Sequence, residues 1–171
     1  MTTGLYVPHL VDMVLVPALT AIGLHSEAAV ALLLGTLSQE SHFAYLRQQG
    51  GGPAVGLAQI ERATADDIAY RYLKKPNKAR LRQRIVAHLG YDPTILTPER
   101  LHERIDDDLR LTVILMRCRY LPYPLGLPAP DNLRGLARYW KFAYNAGGKG
   151  TVEEFEDNWT RRVAPYWPRP E

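Results

Sequence analysis

Residues 26–41 read SEAAVALLLGTLSQES, and this stretch decides the fold. Ser26 suits a helix N-cap, because its hydroxyl can accept a hydrogen bond from a backbone N–H just ahead. Glu27 then sits favourably at the positive end of the helix dipole. From Glu27 to roughly Glu40 the residues are apolar nearly all round, so the spacing predicts a helix at the centre of the core. Gln39-Glu40-Ser41 brings polar groups to its end. Leu33, Thr36 and Leu37 precede Glu40 at helical spacing and share its face. A carboxyl that extends an apolar stripe loses hydration and its pKa should rise, which is the state a general acid needs at neutral pH. A glutamate at a helix end that turns out into water fits the same spacing.

Outward from this helix the pattern stays helical. Leu10 to Leu24 is apolar around Pro17 and reads as one kinked helix or two short ones. The cluster Gly50-Gly51-Gly52-Pro53 followed by Gly56 must be turn or loop, and Gly56 to Ile60 reads as one strand of a small hairpin. Thr64 is placed to cap a helix opening with Asp66 and Asp67, and Asn77 to start another that stops at Gly90. Thr97-Pro98-Glu99 is a helix start, with a stripe running from Leu101 toward Tyr120. A stiff connector holding Pro122, Pro124, Pro128 and Pro130 follows. Asp131 then opens a helix through Trp140, and Gly147, Gly148 and Gly150 break the chain. Thr151-Val152-Glu153-Glu154 is a capping box that begins the last helix. The expected class is mainly α, with at most a small β-hairpin, in one domain spanning residues 1–171.

Composition excludes several classes. Of 171 residues, 46% are hydrophobic and 23% charged, which is ordinary for a folded domain and wrong for a disordered or fibrous chain. One cysteine, Cys118, allows no internal disulfide, and it reads as a small buried hydrophobe. The first basic residue is Arg47, so the N-terminal segment lacks the positive region of a secretion signal, and no apolar run is long enough to span a membrane. The net charge of +3 is too small to imply nucleic acid, and suits an anionic polymer equally well. The glycine run lacks the Lys-Ser/Thr of a phosphate loop, and the five histidines show no metal-ligand spacing.

Two further motifs could carry chemistry. Gly56-Leu57-Ala58-Gln59-Ile60 combines a turn that lets a ligand approach backbone with a glutamine, which both donates and accepts and so suits sugar hydroxyl and acetamido groups. It also reads as a plain hairpin turn. Ala143-Tyr144-Asn145-Ala146-Gly147 ends a helix with a phenol that can hold a carboxylate, or is simply a C-cap with Asn145 or Gly147 left-handed.

Taken together, Glu40-Ser41, the Gly-Leu-x-Gln-Ile phrase nineteen residues on and the distant Ala-Tyr-Asn-Ala-Gly resemble the soluble lytic transglycosylases, which share a lysozyme-like fold with goose-type lysozymes. The match covers roughly Ala29 to Thr64 and Tyr139 to Gly150. The phrase around Gly51 to Glu61, with Tyr139-Trp140-Lys141-x-x-Tyr144-Asn145, resembles the phage and prophage branch. Ala58 and Arg62 depart from the family, where methionine and proline are usual.

The resemblance implies that Glu40 is the sole catalytic carboxylate, acting on the β-1,4 bond between N-acetylmuramic acid and N-acetylglucosamine to leave 1,6-anhydro ends. It implies substrate contacts around Gly56, Leu57, Gln59, Ile60, Tyr144 and Asn145, with Tyr144 orienting Glu40 and Ser41 supporting the motif. No metal or organic cofactor is implied. The expected partner is the glycan strand of peptidoglycan, reached by a phage endolysin or a virion-associated enzyme made in the host cytoplasm.

Two rivals stand beside this reading. In the first, a hydrolytic lysozyme, Glu61, Asp66 or Asp67 supplies a second carboxylate. In the second, the chain is a non-catalytic virion or wall-binding protein. Arg71 to Arg84 carries Lys74, Lys75, Lys78, Arg80 and Arg82 with no acidic residue; it reads as a solvated helix face or as a contact for an anionic wall polymer or lipopolysaccharide. With only Tyr70 and Tyr72 interleaved, no nucleic acid is expected.

Overall fold

In the computed structural model, which describes residues 4–168, the chain is mainly helical with one two-stranded antiparallel hairpin. Helix α3, Glu27–Ser41, is the central element. Ser26 caps it, accepting from the Ala29 N–H at 3.0 Å, and every residue from Ala29 to Ser38 is buried. It packs on three later helices: α7 (Leu109–Tyr120), α8 (Leu133–Ala143) and α9 (Val152–Arg162). A helix enclosed in this way has no polar face, as its sequence requires.

The N-terminal run is helical from Val7 to Ile22. Helices α1 (Val7–Leu10) and α2 (Val16–Ile22) are joined by a π-helical turn, Val11–Leu15, in which the Val16 N–H reaches back to the Val11 carbonyl. Pro17 has no N–H to give to residue 13, and the chain widens just before it instead of breaking. Helix α2 packs on α5 (Ala79–Leu89) and α7.

Several boundaries differ from the sequence reading, each for a local reason. Strands β1 (Ala54–Val55) and β2 (Ile60–Glu61) pair Val55 with Ile60, so Gly56–Gln59 is the turn of the hairpin and not a strand. Gly56 has φ +68°, and a Cβ there would lie 2.9 Å from Ile105 Cγ2, so only glycine lets the turn sit against α6 (Pro98–Asp107). Helix α4 (Arg62–Asp66) begins before Thr64, whose hydroxyl accepts from Arg119 instead of capping. A 3-10 turn, Pro76–Lys78, precedes α5.

The stripe from Leu101 to Tyr120 is two helices. Asp108 is extended (φ −120°, ψ 98°), ending α6 and capping α7 by accepting from the Arg110 N–H at 3.0 Å. Asn132, and not Asp131, caps α8. The capping box at Thr151 forms with both of its hydrogen bonds. The proline-rich connector is tied to α8 by Tyr139, whose hydroxyl donates to the Leu125 carbonyl at 2.9 Å and whose ring meets that of Tyr123 edge-on, while Leu127 packs against the core. Cys118 is buried, and burial pushes its thiol up to about 12, which leaves it unreactive. Among the described residues no helix is long and apolar enough to cross a membrane.

Candidate active site

Glu40 lies in the last turn of α3, half-buried, at the wall of a cleft of about 610 Å³. The hairpin forms one side of the cleft through Gln59 and Glu61. The α8 end and the loop after it form the other, through Tyr144, Asn145 and Lys149. Arg119 and Thr64 also line the cleft. Three segments far apart in sequence thus meet where the central helix stops.

Burial pushes the Glu40 carboxyl up from 4.5 to about 7. Two weaker effects oppose it. Trp140 Nε1 donates to Glu40 Oε1 at 2.9 Å, and the Arg119 guanidinium lies close enough to favour the charged form. The result is a carboxyl that takes and gives a proton near neutrality, in a cleft open to a ligand.

Trp140 is itself held in place by packing. It is fully buried and lies against Phe155, with ring centroids 5.4 Å apart. Phe155 in turn rests on Gly35 of α3, where a Cβ would come within 2.2 Å of its ring. Gly35, Phe155, Trp140 and Glu40 therefore form one packed chain of contacts that fixes the N–H donor against the carboxylate.

Tyr144 does not hold the carboxylate by hydrogen bond, contrary to the expectation from its motif. Its buried hydroxyl donates to the Ala58 carbonyl at 2.7 Å, tying the α8 end to the hairpin turn. Its ring stacks 5.2 Å from Tyr120, whose hydroxyl is 2.6 Å from Thr36 Oγ1 on α3. Thr36 already donates to the Leu32 carbonyl, so Tyr120 is the donor to Thr36. The Arg119 guanidinium lies 4.5 Å from the Tyr144 ring centroid and also donates to the Tyr144 carbonyl and, at 2.9 Å, to Thr64 Oγ1. Tyr144 thus positions a wall of the cleft and holds Arg119 beside Glu40.

Of the other expected residues, Gln59 and Asn145 line the cleft with Tyr144. The Gln59 amide nitrogen is committed to the Gly56 carbonyl at 2.9 Å, and its backbone is left-handed at φ +46°. Asn145 Oδ1 accepts from Lys141 Nζ at 3.1 Å, and Gly147, not Asn145, takes the left-handed conformation. Ser41, Gly56, Leu57 and Ile60 are buried and do not line the cleft. Ser41 donates to the Leu37 carbonyl at 3.2 Å and finishes the helix; Leu57 and Ile60 anchor the hairpin in the core. Leu57 and Ile60 thereby set the hairpin that carries Gln59 and Glu61 to the cleft.

Among the candidate second carboxylates, Glu61 lines the cleft with Glu40. Asp66 instead faces His102, with Oδ1 3.0 Å from Nε2, and Asp67 pairs with Arg71 at 3.5 Å; neither lines the cleft. The motifs include Trp140 only as part of the Tyr139–Asn145 phrase, and give neither it nor Arg119 a role at Glu40. Trp140 lies in the apolar stripe of α8 and Arg119 in the largely apolar α7, and only folding reveals which side chain of such a helix faces the carboxylate. Compared with known proteins, the chain matches no family model, no curated protein and no solved structure.

Proposed function

We propose that the chain is a peptidoglycan lytic transglycosylase that uses Glu40 as its single acid and base. The observation that carries the reading is a half-buried carboxyl held near pKa 7, with one N–H on it, at the wall of a cleft large enough for saccharide. Protonated Glu40 gives its proton to the oxygen bridging muramic C1 and the next sugar. The C1–O bond breaks, and the leaving sugar departs with a new hydroxyl. The Glu40 carboxylate then takes the proton from the C6 hydroxyl of the muramic residue as that oxygen closes on C1. The carboxyl returns to its starting state, and no water is consumed.

Trp140 and Arg119 assist in the middle of this cycle. Both favour the anion, and the anion exists only between the two proton transfers. Gln59, Asn145 and Lys149 line the cleft where hydroxyl and acetamido groups would lie.

The presence of Glu61 on the same cleft favours a second reading, a hydrolytic lysozyme in which Glu61 activates water. End-group analysis of digested wall by mass spectrometry separates the two. The transglycosylase leaves 1,6-anhydromuramic ends and keeps its rate in Glu61→Gln. Reducing ends, together with a loss of about a hundredfold or more in Glu61→Gln, would replace it with the lysozyme.

A further inference from the structure

The glycine-rich segment after α8, residues 145–150, is fixed at both ends. Lys141 Nζ donates to Asn145 Oδ1 at 3.1 Å and to the Gly148 carbonyl at 2.7 Å, and the Gly148 N–H donates to the Asn145 carbonyl at 2.9 Å. Gly147 makes the turn between them with φ +77°. At the far end Gly150 rests on the indole of Trp140, where a Cβ would lie 2.7 Å from Cη2, and Thr151 starts α9 with its capping box. Between these anchors Lys149 is exposed and lines the cleft with Glu40.

Lys149 makes no hydrogen bond or ion pair among the described residues, and the Glu61 carboxylate on the same cleft does not pair with it. Arg119, the other cation of the cleft lining, is committed to Thr64, to the Tyr144 carbonyl and to the Tyr144 ring. Of the two, Arg119 alone favours the Glu40 anion. Lys149 therefore stands away from the reacting carboxyl, on a wall that meets a different part of the bound strand.

The rings and acetamido groups of the wall glycan are neutral. Its negative charge hangs from the lactyl ether of the muramic residue, as the lactyl carboxylate itself or, where a peptide is attached, as the carboxylates of that stem. An ammonium offers three donors and a localised charge to such a group, and finds no counterpart in a polymer of N-acetylglucosamine alone. We propose that Lys149 binds a carboxylate carried on the muramic side chain of the strand, and so selects muramic glycan over a neutral aminosugar polymer. The presence of a muramic strand in the cleft rests on the reading of Glu40.

The test compares three substrates with the whole protein: glycan strands freed of peptide, the same strands with the lactyl carboxylate converted to a methylamide, and strands that keep their peptides. For the wild type, KM on the methylamide should exceed KM on the free carboxylate by at least about threefold, the scale of an exposed charge-assisted contact. The difference should shrink as salt is raised. Lys149→Met should erase it and Lys149→Arg should keep it. The falling limb of the pH–rate profile, which Glu40 sets, should stay in place in Lys149→Met. A wild type indifferent to the methylamide, a difference that survives Lys149→Met, or a limb that moves with that variant overturns the assignment. The peptide-bearing strands identify the source of the carboxylate. Lys149→Met raises KM on them if stem carboxylates reach the ammonium, and leaves it unchanged there if the lactyl carboxylate is the partner.

Binding is read separately from cleavage by backbone NMR of the protein titrated with N-acetylmuramic acid and with N-acetylglucosamine. Saturable shifts at residues 145–150 should set in at lower concentration for the acid, and Lys149→Met should bring the two sugars level. No preference in the wild type, or a preference kept in Lys149→Met, overturns the assignment. Preference for the acid in a protein that cleaves no strand would leave Lys149 in place and remove the activity read from Glu40. Cleavage without that preference would do the reverse.

Discussion

At the scale of single residues, the behaviour of Glu40 is set by a competition between burial and two favourable contacts, and burial wins. The sign of its pH dependence follows. The folded chain keeps the proton to about pH 7, whereas the unfolded chain releases it near 4.5, so the contribution of this group to stability is full at low pH and falls as pH rises through that window. The difference amounts to about 3 kcal/mol. Glu40→Gln cannot ionise and its amide oxygen can still accept from Trp140, so at pH 8 its thermal denaturation should lie above that of the wild type. An equal or lower melting temperature would show that the carboxyl is not desolvated. Trp140→Phe removes a donor that favours the anion and should move the falling limb of the pH–rate profile above pH 7; movement to lower pH would contradict the assigned role. Glu40 was legible as an acid because its apolar helix face is written in the spacing. Trp140 was not, since a tryptophan in a helical stripe looks like any other core residue.

At the scale of elements, chain ends were more legible than chain partners. Ser26, Thr97 and Thr151 all cap helices where their sequence places them, because a cap is a local interaction. Asp108 was hidden, as the apolar residues on its two sides stay in phase and its role depends on Arg110 and Tyr91 reaching its carboxylate. Asp108→Ala should lose a cap and these hydrogen bonds, lowering stability by about 2–3 kcal/mol in denaturant titration; a change within error would mean that the break between α6 and α7 is set elsewhere. Gly35→Ala tests the packing path to the site. The added methyl meets the Phe155 ring, so we expect a loss of about 1–3 kcal/mol together with reduced activity through a displaced Trp140. Lost stability with undiminished activity would uncouple that path from Glu40.

At the scale of the whole molecule, the cleft exists because the central helix ends where the hairpin and the α8 end meet. The bond from Tyr144 to Ala58 and the Arg119 contacts to Thr64 and Tyr144 hold its two sides together. The mainly helical class with one hairpin was legible from periodicity and glycine clusters. The convergence of three distant segments on Glu40 was not, since contacts between elements distant in sequence leave no local pattern. The most direct measurement is release of soluble muropeptides from purified sacculi by the wild type and by Glu40→Gln, with wall binding followed in parallel. The account predicts release by the wild type and none by Glu40→Gln, with both proteins folded and equally bound. Release by Glu40→Gln at the wild-type rate, or binding by the wild type with no release at all, would contradict it.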